Sequence, residues 1–361
     1  MGQTLSEPIT TKQTTASSNR YLKVVISCMQ GWRVTMEDAH THFLSLPGDP
    51  SAAFFAVFDG HGGTAIAQYA SQNLHKKVVQ QLNYSRGDYE SALKNGYLQL
   101  DREMQSDIHL RDDMSGTTAV SILIKNNKLF CANAGDSRAI ASVDGTVQQL
   151  SFDHKPNNEM ESKRIIAAGG WVEYNRVNGN LALSRALGDF IFKKNTSKPP
   201  EEQIVSAAPD IVTKDITASH EFIIMACDGI WDVLSNLEVL QFVRTRIAQR
   251  TEPSVICEEL LNTCLAPDAQ MGGLGCDNMT VLLICILNGG SYESLATRCA
   301  RPAKSQTIAT GSSISPGHLS GAPNMSLRNP SVDNQSRVNT RFPNDGIRGH
   351  SPTRTYPGGY R

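Results

Sequence analysis

The sequence predicts an α+β domain in which antiparallel sheets are covered by helices, and three observations lead there. Apolar strand-like runs come in clusters rather than alternating one by one with helices, which argues against a strictly parallel sheet. Two of these runs, residues 118–124 and 128–134, read as a hairpin closed around Asn126-Asn127. The helical patterns are grouped as well.

In chain order, residues 7–19 are rich in Thr, Ser and other small polar types, so residues 1–20 are expected to be a flexible segment with too little apolar surface to fold. Residues 21–29 and 52–58 read as strands. After Gly63, Ile66, Ala70, Leu74 and Val78 recur every fourth residue, with Tyr69 and Leu82 widening the stripe, as in an amphipathic helix. A second helix carries Ala92, Leu93, Tyr97, Leu100 and Met104 on its apolar side. Further helices are expected near residues 159–168, stopped by Gly169-Gly170, and 236–250, opened by the capping-box pattern Ser235-x-x-Glu238.

The composition changes near Leu287. Residues 288–361 carry nine Lys+Arg against three Asp+Glu, a formal +6, whereas the preceding 287 residues hold 25 against 32, a formal −7. One large domain over residues 21–287 is expected, followed by a basic, disordered tail rich in Ser, Pro, Gly, Asn and Arg. The tail suits a binding or phosphorylation segment and a passive solvated end equally. An acidic core fits a cation-binding centre and argues against nucleic acid as a partner.

None of the eight cysteines forms a C-x-x-C pair, and several lie inside apolar stretches. Reduced, buried thiols suit cytosol or nucleus, as does the lack of a secretory segment. No uninterrupted apolar run approaches the roughly 20 residues that span a bilayer. The N-terminus, Met1-Gly2-Gln3-Thr4-Leu5-Ser6, matches the myristoylation pattern. An acyl chain on Gly2 would add a weak peripheral membrane fraction; an ordinary terminus explains the same residues.

The chemistry lies where apolar runs end. Asp59-Gly60-His61-Gly62-Gly63 directly follows the run 52–58, Asp228 follows 222–227, and Asp277 just precedes 280–287. Each carboxylate therefore sits where a buried strand emerges or begins, and such strand ends can converge on one cleft. Carboxylates without neighbouring His or Cys ligands are hard oxygen donors that suit Mg2+ or Mn2+. The glycines let main-chain oxygen and His61 approach the same cation, and His61 is placed to give a proton to a leaving oxygen.

In Arg33-Val34-Thr35-Met36-Glu37-Asp38, a strand would send Glu37 and Asp38 to opposite faces, one ligating directly and the other through water, with Arg33 reaching an oxyanion. A charged surface turn explains that hexapeptide as well. Asp136, in Gly135-Asp136-Ser137-Arg138, and Asp232, four residues after Asp228, suggest an additional, weaker cation. There is no Cys-x5-Arg loop for thiol chemistry and no P-loop ending in Gly-Lys-Ser/Thr.

These residues carry a family resemblance. Arg33 through His40, Phe58-Asp59-Gly60-His61-Gly62-Gly63, Ser115-Gly116-Thr117-Thr118-Ala119, Gly135-Asp136-Ser137-Arg138, the stretch from Leu181 to Asp189, Ala226-Cys227-Asp228-Gly229-Ile230-Trp231-Asp232 and Asp277-Asn278-Met279-Thr280 occur in order over residues 21–287. Together they resemble the metal-dependent protein serine/threonine phosphatases of type 2C. The resemblance implies a four-layer α-β-β-α sandwich, two central antiparallel sheets flanked by helices, with two Mg2+ or Mn2+ ions in a cleft at one end.

By that resemblance Asp59 bridges both ions, the Gly60 carbonyl and Glu37 serve one, Asp228 and Asp277 the other, and Asp38 holds metal-bound waters. Asp136 and Asp232 contribute to a weaker third site. Arg33 binds the substrate phosphate, and His61 protonates the departing Ser or Thr alkoxide. A phosphomonoester dianion resists attack by an anion, which is why paired cations suit direct hydrolysis by metal-activated water. Phosphorylated proteins are the implied substrates of a monomeric enzyme, with residues 153–192 as a flap beside the cleft. A catalytically inactive phosphoprotein-binding scaffold on the same fold and a hydrolase of small phosphoesters are the alternatives. The composition after Leu287 does not support the helical C-terminal extension of some family members.

Overall fold

The computed structural model describes residues 4–269 and 273–303; Gly2 and the tail from residue 304 onward lie outside the described residues. Two antiparallel sheets form the centre. The first has six strands in the order Thr4–Ser18, Leu22–Arg33, Met279–Ile286, His220–Ala226, Arg138–Val143, Thr146–Gln149. The second has five, in the order Asp210–Asp215, Lys128–Ala134, Ala119–Lys125, Ala53–Phe58, Ala39–Phe43.

Continuous apolar runs form these central strands because both of their faces are covered. In Ala53–Phe58, Phe54, Ala56 and Phe58 pack against the helices Ala65–Val79 and Tyr89–Ser106, while Ala53, Phe55 and Val57 turn into the gap between the sheets. In Met279–Ile286, Met279, Val281, Leu283 and Cys285 meet Asn236–Ala248, Pro253–Cys264 and Tyr292–Cys299, and Leu282, Ile284 and Ile286 fill the gap. The period-two alternation of a strand thus supplies three cores, and the four-layer sandwich follows. The hairpin turn sits as expected, with Asn126 and Asn127 both left-handed at φ 53° and 57°.

The helices keep their apolar stripes, with one correction. Ile66, Ala70, Leu74 and Val78 are fully buried, but the helix ends at Val79, and Leu82 opens a separate turn, Leu82–Ser85, with 65 % of its surface exposed. Ser235 and Glu238 close the capping box at the start of Asn236–Ala248. Pro253 opens a further helix that the sequence reading did not include, Pro253–Cys264, at a position where its missing N–H costs nothing.

Both predicted ends of the domain require correction. Residues 4–18 are not a flexible segment; they form the edge strand Thr4–Ser18, paired antiparallel with Leu22–Arg33 from Ser18↔Lys23 to Thr4↔Arg33. An edge strand is held by its ladder and needs little apolar surface, and β-branched threonines suit it. The Thr14 hydroxyl also donates to Glu258 Oε1 at 2.7 Å and lies 2.9 Å from Ser27 Oγ. At the other end the fold continues past Leu287 into the helix Tyr292–Cys299, where Tyr292, Leu295, Ala296 and Cys299 are buried at helical spacing. Arg298 secures it by donating to the Ala218, His220 and Ile286 carbonyls. About two turns of helix are too short to stand out in a polar composition.

Within residues 153–192, Glu159–Ala167 and the hairpin Val172–Glu173/Arg176–Val177 build a satellite core of Ile165, Val177, Ala186 and Phe192, which Val205 joins from beyond that stretch. Glu161 ties it together, accepting from Arg164, Ser184 and Arg185. Burial alone would raise its carboxyl, but the two guanidiniums and the Ser184 hydroxyl hold it down at about 2.

Two outcomes are expected in urea denaturation. Ending the chain after Leu287 costs at least about 3 kcal/mol from the buried side chains removed, whereas ending it after Ala303 leaves the core intact. Glu161→Gln lowers stability by about 3 kcal/mol at neutral pH, because Arg164 and Arg185 lose the buried carboxylate they share, with Arg185 keeping Asp210 as an anionic partner. Because the folded pKa is depressed, the wild-type advantage is present above pH 4.5 and shrinks as pH falls towards about 2.

Candidate functional site

The strand ends converge as the spacing implied. Asp59 follows Ala53–Phe58, Asp136 follows Lys128–Ala134, Asp228 opens the helical turn Asp228–Trp231 after His220–Ala226, and Asp277 precedes Met279–Ile286 by one residue. With Arg33, Glu37, Gly60 and His61 they line one cleft of about 520 Å3. Asp38 stands behind its wall, bonded to Thr280, and Asp232 flanks it one turn beyond Asp228.

Two Asp-Gly pairs allow this crowding. A Cβ on Gly60 would lie 2.3 Å from the Glu37 carbonyl oxygen, and one on Gly229 would lie 2.2 Å from that of Asn278. Both glycines are required for backbone approach rather than for unusual dihedrals. Gly62 and Gly63 are the conformational ones, at φ 69° and 138°.

Glu37 and Asp38 are not in a strand, which corrects the alternating-face expectation. They lie on the connection between Leu22–Arg33 and Ala39–Phe43, and side chains hold its main chain. Gln30 Nε2 donates to the Arg33 and Val34 carbonyls; Asn278 Nδ2 donates to Gln30 and Thr35 carbonyls at 2.9 Å, and Asn278 Oδ1 accepts the Glu37 N–H at 2.9 Å. Glu37 itself accepts from the Thr35 hydroxyl at 2.8 Å and the Gly63 N–H at 3.2 Å. Asp38 is thereby turned inward, where Oδ2 accepts from Thr280 Oγ1 at 2.7 Å. Its Oδ1 is buried with no hydrogen-bond partner.

Electrostatics define the site. Burial, followed by repulsion from Asp228, Asp38, Asp277 and Asp136, raises Asp59 well above the usual carboxylate range. Burial and the carboxylates of Asp136, Asp277 and Asp232 do the same to Asp228. Asp38 rises to about 7, chiefly through burial, with Asp277 adding to it and Thr280 opposing. Such a group of oxygen donors with an orphaned buried oxygen fits hard divalent cations, which would relieve both repulsion and desolvation. Cys227 Sγ is within 4.8 Å of ligand atoms of Asp38 and Asp59. It accepts the Thr280 N–H at 3.1 Å, and burial raises the thiol well above its ordinary value, so the donor set stays oxygen-based.

Cationic side chains border the carboxylates. Arg33 Nη2 lies 2.5 Å from Asp277 Oδ2, with the guanidinium partly exposed to the cleft. Lys155, from the base of the flap, donates to Asp136, and Arg138 holds Asp153 through two bonds of 2.9 and 2.7 Å. Arg176 and Asn180 to Leu183 complete the flap side of the cleft. His61 Nε2 lies 2.7 Å from Asp189 Oδ2. Burial works against the charged ring, but Asp189, aided by Asp136 and Glu37, outweighs it and raises the His61 pKa.

Asn278, Thr280, Lys155 and Asp189 received no individual role from the sequence. Asn278 and Thr280 were legible as polar residues at the mouth of an otherwise apolar strand. Asp189 was marked only as the end of the stretch from Leu181 to Asp189, with no role, because its partner lies 128 residues away.

Residues 22–271 match the family model Protein phosphatase 2C. A Caenorhabditis elegans protein named probable protein phosphatase 2C T23F11.1 is 62 % identical over 303 residues, covering 84 % of this chain and 85 % of its own. Protein phosphatase 2C homolog 2 of Schizosaccharomyces pombe is 47 % identical, covering 81 % of this chain and 80 % of its own. A crystal structure of a phosphatase from Toxoplasma gondii superposes with a TM-score of 0.66 at 27 % identity, over 76 % of this chain and 96 % of that one. The chain thus belongs to the protein phosphatase 2C family and is a metal-dependent protein serine/threonine phosphatase.

Proposed function

We propose that the cleft hydrolyses phosphoserine and phosphothreonine in proteins with water activated by two Mg2+ or Mn2+ ions. Asp59, Glu37, the Gly60 carbonyl, Asp228 and Asp277 would hold them, with Asp38 acting through water and Asp136 and Asp232 holding a weaker third. The observation that carries this reading is the convergence of buried, mutually repelling carboxylates beside Arg33 at one end of the sandwich. When bound, such ions neutralise a dianionic phosphate and bring water's pKa towards neutrality.

The chain's own residues supply the rest. Arg33 has five donors in a planar fork, and Asp277 engages one nitrogen, which leaves donors for phosphate oxygens. The Asn278 clamp fixes the connection that carries Arg33, Glu37 and Asp38, so phosphate and ligands keep one geometry. His61 gives a proton to the departing Ser or Thr oxygen, a poor leaving group as an alkoxide. The flap residues beside the cleft, Arg176 and Asn180 to Leu183, contact the substrate protein around the phosphorylated residue.

The same reading places a monomeric enzyme in cytosol or nucleus, supported by eight free, buried cysteines. Acylation of Gly2 would add a peripheral membrane fraction, supported by the Met1–Ser6 pattern alone.

The test is hydrolysis of a phosphothreonine peptide by the full chain with and without Mg2+ or Mn2+, beside Asp228→Asn. Metal-dependent turnover that falls at least about 100-fold in the variant is expected. Folded, metal-loaded wild type that binds the peptide without turning it over would instead identify a phosphoprotein-binding scaffold.

A further inference from the structure

Three short strands converge beside the cleft: Gly60–His61, Gly116–Thr117 and Leu187–Gly188, with Gly116 paired to His61 on one side and to Gly188 on the other. Because Gly116 has no side chain, the groups flanking it meet above its backbone. A Cβ there would lie 2.5 Å from His61 Nε2 and would overlap the Asp189 carboxylate. Asp189 is 5 % exposed, sits in the left-handed region at φ 51°, and donates its N–H to the Ser115 carbonyl at 3.2 Å.

A second layer fixes that turn. Asp101, from the helix Tyr89–Ser106, accepts the Gly188 N–H at 2.8 Å and both bonds from Lys193 at 2.8 Å, and Lys193 also donates to the Ala186 carbonyl. The residues on both sides of Asp189 are thus pinned to one buried carboxylate. Phe190 and Phe192 are buried beyond it. An unusual backbone conformation braced from two directions, for a carboxylate whose partner is a cleft histidine, exceeds what a surface ion pair needs.

We infer that Asp189 is the positioning residue for His61, holding the ring by its Nε2–H so that Nδ1 is the nitrogen presented to the leaving oxygen. A carboxylate can only accept, so the hydrogen bond commits Nε2 as donor and leaves Nδ1 to act. In the step, the bond from phosphorus to the Ser or Thr oxygen breaks with its electron pair on that oxygen. The proton on Nδ1 passes to it, water supplies the new bond to phosphorus, and the ring, still bonded to Asp189, regains its proton from solvent. The inference rests on His61 being the proton donor.

The experiment compares Asp189→Ala, Asp189→Asn and His61→Gln in the full chain with Mg2+ on two substrates. A phosphothreonine peptide leaves as an alkoxide that needs a proton; p-nitrophenyl phosphate leaves as a stable phenolate that does not. Asp189→Ala should lower kcat at least about tenfold more on the peptide than on the aryl ester, as His61→Gln does. Asp189→Asn, whose amide oxygen still accepts Nε2–H, should lose less. Nitrogen NMR of the ring should show Nε2 protonated in wild type and in Asp189→Asn, and mixed tautomers in Asp189→Ala. Equal losses on both substrates in Asp189→Ala, with selective loss kept in His61→Gln, would overturn the role of Asp189. Absence of selectivity in His61→Gln would overturn the proton-donor reading itself. Should Asp189→Ala not fold, Asp189→Asn decides: an unprotonated Nε2 in that variant contradicts the inference.

Discussion

Mutual repulsion among buried carboxylates is the constraint on which this molecule is built. Asp59, Asp228 and Asp38 are each driven towards the neutral form by burial and by neighbouring carboxylates. Left to themselves, such groups would separate and hydrate. They stay together because each is attached at or near the end of a strand whose remaining residues are locked between two apolar layers. The three cores are therefore as much part of the site as its ligands.

Polar devices transmit that rigidity to the ligands. Asn278 spends its amide on main chain, donating to Gln30 near the end of the strand Leu22–Arg33 and to Thr35 in the connection, and accepting from the Glu37 N–H. Thr280 lies on the same strand face as Leu282 and Ile284, so the inter-sheet core ends in a hydroxyl that holds Asp38. Gly60 and Gly229 remove the Cβ atoms that would force ligand segments apart. None of these groups needs to touch a phosphate to matter, since a displacement of about 1 Å in a catalytic group can cost on the order of 100-fold in rate.

The periphery follows a different logic. The flap has its own small core and an ion cluster around Glu161, so it is a unit attached to the cleft rather than an extension of the sandwich. Its base is tied to the sandwich by Lys155, which donates to Asp136, and by Asp153, which Arg138 holds. The edge strand Thr4–Ser18 reaches Arg33, because antiparallel pairing places Thr4 opposite it.

Whereas the four-layer arrangement came from the family resemblance, the sequence by itself determined that antiparallel strands are covered by helices, which strands end in acids and the chemical type of the donors. Those features are local: an apolar run buried on both faces, an acid at its end and a glycine beside it are all adjacent in the chain. Residues 4–18 and 292–299 escaped a compositional reading because their stability comes from a neighbouring strand or helix face and not from their own apolar content. Only the tertiary structure decided that Glu37 and Asp38 lie in a clamped connection, that Asn278 is the clamp and that Asp189 faces His61. Each of those contacts joins residues more than 100 positions apart, and their geometry is set by the sandwich that brings the strand ends together.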